Sequence, residues 1–292
     1  MSNPILFVGG MKGGVGKSMM TIAAIDYYLH RELPEPVVLI ESDTANPDVG
    51  KIYDSVPGVQ QVLADLDAEA GWLGLVDCIA GHHGPVVINS AARNGAGLRE
   101  YGHLLTAASQ EMRRELVMIW PVNRQRDSLQ LLAEARGTFG GHVCVVRNLY
   151  FGSADKFELY NASNLREDIE ASGGATLDLP ELHDRIADRM CCARMSLDAL
   201  AQENMGTKLA IRVWREKVER IMAEIVKPRA PDPAQPIAAP PSAQSPTPEW
   251  PEWADGSDMR PGETQAAYGR RKRLEGSPET RAAARSKFIG ES

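Results

Sequence analysis

The run Phe7-Val8-Gly9-Gly10-Met11-Lys12-Gly13-Gly14-Val15-Gly16-Lys17-Ser18 constrains this chain more than any other stretch. Residues 5–8 form an apolar run short enough for one buried strand, and residues 19–29 read as a helix. A strand that passes through glycines into a helix is the setting in which a backbone wraps an anion. Gly13, Gly14 and Gly16 allow conformations closed to other residues, so successive N–H groups can converge on one phosphate. In such a loop Lys17 reaches the β- and γ-phosphates, and the Ser18 hydroxyl sits on Mg²⁺.

One position departs from the generic spacing. A glycine is expected five residues before Gly16, and Met11 stands there, while a further lysine, Lys12, opens the loop. This is the deviant Walker A signature, and in it the sequence resembles the ParA/MinD family of ATPases. The resemblance implies a P-loop NTPase with ATP and Mg²⁺ as cofactors. It also implies an ATP-dependent homodimer in which Lys12 contacts nucleotide across the interface. On this resemblance Gly13, Gly14, Val15, Gly16, Lys17, Ser18 and Met19 form the nucleotide cradle, with Ser18 and Asp43 at the metal.

Asp43 is assigned by position. Residues 37–40 read as a buried strand and lead into Glu41-Ser42-Asp43-Thr44-Ala45-Asn46-Pro47-Asp48. The family carries a D-x-D element at the end of its second strand, whose second acid places the attacking water. Asp43 matches that acid, and Glu41 stands for the first. The resemblance therefore makes Lys12, Lys17 and Asp43 the catalytic set. The residues alone leave a second reading open, a surface turn rich in Asp, Asn and Pro.

The family's Walker B strand ends in aspartate. The apolar run at 85–88 ends instead at Asn89, whose amide accepts and donates hydrogen bonds but brings no charge. A weak, slow ATPase is the expectation, and an acid restored at residue 89 is expected to speed it. In relatives an asparagine ending a later strand and a proline-containing loop contact the base. Asn148 and Pro180 match these, although an asparagine that simply ends a strand is common.

Further strands are expected at 116–120 (broken by Pro121), 143–146 and 175–179. Helical spacing runs over 59–81, 98–111, 161–171, 181–202 and 207–227. Alternation of this kind predicts an α/β fold, a mostly parallel sheet with helices on both faces, filling a domain at 1–227. From residue 228 the composition shifts. Roughly half of the 19 prolines fall between Pro228 and Pro261, among Ala, Ser and Gln, which cannot bury a core. Residues 228–292 therefore read as a disordered linker with a basic end at Arg270-Arg271-Lys272-Arg273, and Trp250 and Trp253 stand in it as anchors for a partner or for the domain itself.

Composition narrows the function. A formal net charge of −7 does not advertise nucleic-acid binding, so any DNA contact needs a local basic patch. The four cysteines show no C-x-x-C spacing, no secretory signal precedes the first strand, and no apolar run is long enough for a bilayer. A cytoplasmic protein without a membrane partner is expected. Residues 123–132 and 147–152 are similar to ATPases of plasmids and conjugative elements, the TraL-like type. The resemblance thus implies a dimerisation switch in DNA partition or transfer, with DNA and a hydrolysis-stimulating protein as partners. Two alternatives remain: a nucleotide-binding adaptor with little hydrolysis, and a small-molecule or redox enzyme of the same superfamily.

Overall fold

A computed structural model describes residues 3–228. The expectations for the linker, the basic end and the two tryptophans concern residues outside that range. Seven strands form one sheet: β1 (Ile5–Val8), β2 (Val37–Glu41), β3 (Val59–Leu63), β4 (Val86–Asn89), β5 (Leu116–Val122), β6 (His142–Asn148) and β7 (Ala175–Leu179). Their order is β3-β2-β4-β1-β5-β6-β7, and every neighbouring pair is parallel.

Ten helices connect and cover the strands. They are α1 (Lys17–Leu29), α2 (Asp48–Tyr53), α3 (Glu69–Ala80), α4 (Gly95–Glu111), α5 (Arg126–Thr138), α6 (Glu158–Asn161), α7 (Asn164–Ala171), α8 (Asp184–Ala193), α9 (Leu197–Ala201) and α10 (Met205–Ile225). Side chains alternate across a strand, so a sheet covered on both faces needs apolar residues at every position. Leu6, Val8, Leu39, Val87 and Ile119 face α1, α2 and α8–α10, while Ile5, Phe7, Val38, Ile88 and Trp120 face α3–α7. Two cores result, one on each face.

Three sequence expectations change in detail. Residues 59–81 are not all helical: Gly58 turns the chain at φ 87°, and Val59–Leu63 pairs with β2 as the edge strand. None of its side chains is fully buried, so it lacks the continuous apolar signature of its neighbours, and Val59 and Val62 fall at helical spacing by coincidence. Pro121 does not end β5, which runs on to Val122 opposite Arg147. The Ile119 carbonyl accepts from the Gly9 amide on the β1 side, so by alternation residue 121 also faces that side, after β1 has left the sheet. The N–H that proline lacks is not needed there. The helix expected over 181–202 is two helices, separated at Arg194, which turns at φ 52°.

The last helix is joined to the first by charge as well as packing. Arg215 of α10 donates Nε and Nη2 to the two oxygens of Asp26 in α1, at 2.8 and 2.6 Å, and Nη2 also to Asp198 of α9 at 2.7 Å. Asp26 is 4% exposed. A buried carboxylate survives only with such a partner, and the planar fork of arginine supplies two parallel bonds.

Candidate phosphate-binding site

The parallel sheet brings the carboxyl ends of its strands to one rim, where the loop between β1 and α1 lies beside the loops that follow β2, β4 and β6. Gly14 and Gly16 have φ 74° and 107°, the left-handed region that a side chain disfavours. Gly16 is constrained twice, because a β-carbon there would overlap the Asn148 amide. Around Gly13 and Gly14 the space where a side chain would project is open. Val15 is buried beneath the loop, while Ser18 is exposed and Met19 half-buried at the first turn of α1.

Both lysines of the loop are engaged. Lys17 is 9% exposed, and its ammonium donates to the Lys12 carbonyl at 2.9 Å, so it curls back under the loop. Burial pushes it down to about 8, against the pull of the Asp43 charge. A cation held under an open ring of glycines, without a full counter-charge, fits a phosphate. Lys12 points the other way, to Asp127 Oδ2 at 2.6 Å and to Gln125 Oε1, at the start of α5. Asp127, in the first turn of α5, serves this pair; the residue at the cap position is Gln125, which makes no side-chain capping bond.

Next to the loop, three residues form a buried polar chain. Register places Glu41, Asn89 and Val8 side by side across β2, β4 and β1. Asn89 donates Nδ2 to Glu41 Oε1 at 2.8 Å and accepts at Oδ1 from the Thr21 hydroxyl at 3.1 Å. Both ends of the amide are occupied. Burial pushes the Glu41 carboxyl up to about 7, against the bonds from Asn89 and the Gly50 amide. This changes the expectation for residue 89. A carboxylate there would abut the carboxylate of Glu41, so Asn89 is the half of a pair that keeps one buried acid compatible with the other strand's end.

Asp43 lies beyond Glu41 at the rim. It accepts from Arg93 Nη1 at 2.9 Å and from the Asn46 amide at 3.2 Å. Partial burial pushes its carboxyl up, but Arg93 and the amides outweigh this and hold it below the ordinary carboxylate range. At this rim Ser18 and Asp43 are the oxygen donors proposed to hold a divalent ion. Arg93 and Asp67 were not singled out by sequence reasoning. The available signal was an arginine four residues past a strand's carboxyl end.

The two base-contact candidates stand together. Asn148 ends β6 opposite Leu179, the last residue of β7, and Pro180 follows. Asn148 is buried, donating Nδ2 to the Val15 carbonyl at 3.0 Å and accepting from the Tyr150 amide at 3.2 Å. The Pro180 carbonyl accepts from the Trp214 indole at 2.9 Å, which ties the end of β7 to α10. Exposed Tyr150 stands beside them.

A parallel sheet, a glycine loop with left-handed turns and a helix headed by a buried lysine together define an α/β protein of the P-loop class. No protein-family model matches the chain. Its sequence is 42% identical over 229 residues to protein MobD of Acidithiobacillus ferrooxidans, an alignment that covers 77% of this chain and 99% of that protein, and the chain belongs to the MobD family. Among solved structures it is similar to a nucleotide-binding protein of Archaeoglobus fulgidus in complex with ADP, at 14% identity, 66% of this chain, 88% of that one and a TM-score of 0.39. It is also similar to a ParA family ATPase of Chlorobium tepidum, at 13% identity, 74% of this chain, 98% of that one and a TM-score of 0.42. Among the described residues no helix is long and apolar enough to cross a membrane.

Proposed function

We propose that this protein is an ATP-binding dimerisation switch with slow hydrolysis, acting in the partition or transfer of DNA. The observation that carries the reading is Lys17, buried beneath an open glycine loop at the rim of a parallel sheet. The loop amides would hold the phosphates, and Lys17 would leave the Lys12 carbonyl to meet them. Ser18 and Asp43 would hold Mg²⁺, which supplies charge neutralisation on the phosphates when bound. Asn148 and Pro180 would border the base.

Slow turnover follows from the acids. Asn89 brings no charge, and its amide is committed to Thr21 and Glu41. Asp43 is left to orient water, and it must first part from Arg93. Lys12 would cross to a second subunit once freed from Gln125 and Asp127. That exposed pair costs about 1 kcal/mol or less to break. Of the cargoes open to such a switch, DNA is the one to which the similarity of residues 123–132 and 147–152 points, with a stimulating protein as the natural second partner.

Calorimetric titration of Mg–ATP tests the site. Lys17→Ala is expected to abolish binding, whereas Lys12→Ala keeps monomer binding and loses the ATP-dependent dimer seen by light scattering. Equal affinity in wild type and Lys17→Ala would refute the site, and persistent dimers in Lys12→Ala would refute only the cross-subunit role. ATP binding without any phosphate release, with DNA or without, would make the protein an adaptor.

A further inference from the structure

The loop after β4 carries a cation that the reading above does not use. Arg93 donates Nη1 to Asp43 at 2.9 Å and Nε to Asp67 at 2.9 Å. Asn94 follows, donating Nδ2 to the other oxygen of Asp67 at 2.8 Å and accepting at Oδ1 from the Ser42 hydroxyl at 2.6 Å. Two consecutive residues thus tie together the loops after β2, β3 and β4. The same segment presses on the phosphate loop, since a β-carbon on Gly95 would overlap the Met11 side chain.

The tie is redundant at Asp67, which Asn94 also holds, but not at Asp43, whose side-chain cation is Arg93. Asp43 is also the carboxylate that the site needs at its centre, and the Lys17 ammonium feels its charge. Arg93 therefore sits on an anionic position of the site while half-exposed. Its guanidinium has five donors in a fixed fork that matches phosphate oxygens, which a lysine would not reproduce.

We propose that Arg93 distinguishes a nucleoside triphosphate from a diphosphate, exchanging the Asp43 carboxylate for an oxygen of the third phosphate while keeping Asp67. This rests on the nucleotide reading of the site. The guanidinium keeps two anionic partners on both sides of the exchange, and the freed Asp43 would be available to the metal. A diphosphate lacks the third phosphate, so with it Arg93 would stay on Asp43.

The experiment uses the full chain and equilibrium titration of Mg–ADP and of a Mg-bound non-hydrolysable ATP analogue. Arg93→Ala is expected to leave the ADP dissociation constant within about twofold and to weaken the analogue about tenfold or more. Arg93→Lys should fall between, and Asp67→Asn should keep the wild-type preference, which separates phosphate contact from loop tethering. Thermal midpoints of all the variants check that they are folded. Wild type that binds both nucleotides, with Arg93→Ala leaving their ratio unchanged, overturns this inference alone, as does an equal loss of both. Wild type that binds neither overturns the nucleotide reading and this inference with it.

Discussion

Glu41 and Asn89 show how one residue's identity is set by its neighbour. The ordinary value of a glutamate is about 4.5, and burial takes this one to about 7. The folded protein therefore binds a proton in that interval that the unfolded chain has released. The contribution of this group to stability is full below about pH 4.5, falls as pH rises towards 7, and then stays level, for a loss of about 3 kcal/mol. Glu41→Gln is expected to flatten this slope. Asn89→Asp sets two carboxyls side by side, and is expected to steepen the fall and lower the thermal midpoint at pH 8. The double variant, Glu41→Gln with Asn89→Asp, restores both. Denaturant unfolding at several pH values reads all four proteins, and an Asn89→Asp protein as stable as wild type at pH 8 would contradict the pairing. A faster ATPase is then expected of the double variant, not of Asn89→Asp alone.

Elements were legible where their apolar pattern was complete. β1, β2, β4 and β6 are buried on both faces, and a run of Val, Ile, Leu and Phe announces such strands. β3 escaped because an edge strand is half wet, and α8 and α9 merged because the left-handed turn at Arg194 uses a residue that is ordinary in helices. In the phosphate loop the left-handed turns at Gly14 and Gly16 were legible, since they answer to backbone geometry. The partners of its side chains were not, because Lys12 meets Asp127 and Asp43 meets Arg93 only after the sheet has brought distant loops together. The Arg215–Asp26 pair is of the same kind, joining α10 to α1 across most of the domain's sequence. Arg215→Ala leaves a buried carboxylate unpaired and is expected to cost about 3 kcal/mol, measured by urea unfolding. A cost below about 1 kcal/mol would mean that His30, with Nδ1 3.9 Å from Asp26, is partner enough for it.

The whole described molecule closes its two cores with residues that end at Ile225. A chain stopped after Pro228 is accordingly expected to keep its thermal midpoint within about 2 °C of the full protein. A larger fall, by differential scanning fluorimetry, would show that residues 229–292 contribute to the fold. The route by which those residues join the domain has its own meaning. They continue from α10, α10 is tied at Arg215 to Asp26, and Asp26 lies in the C-terminal half of α1, the helix whose first turn carries Lys17 and Ser18. A load applied to the chain beyond residue 228 would therefore reach α1 through one ion pair, and Arg215 is where that transmission would be cut.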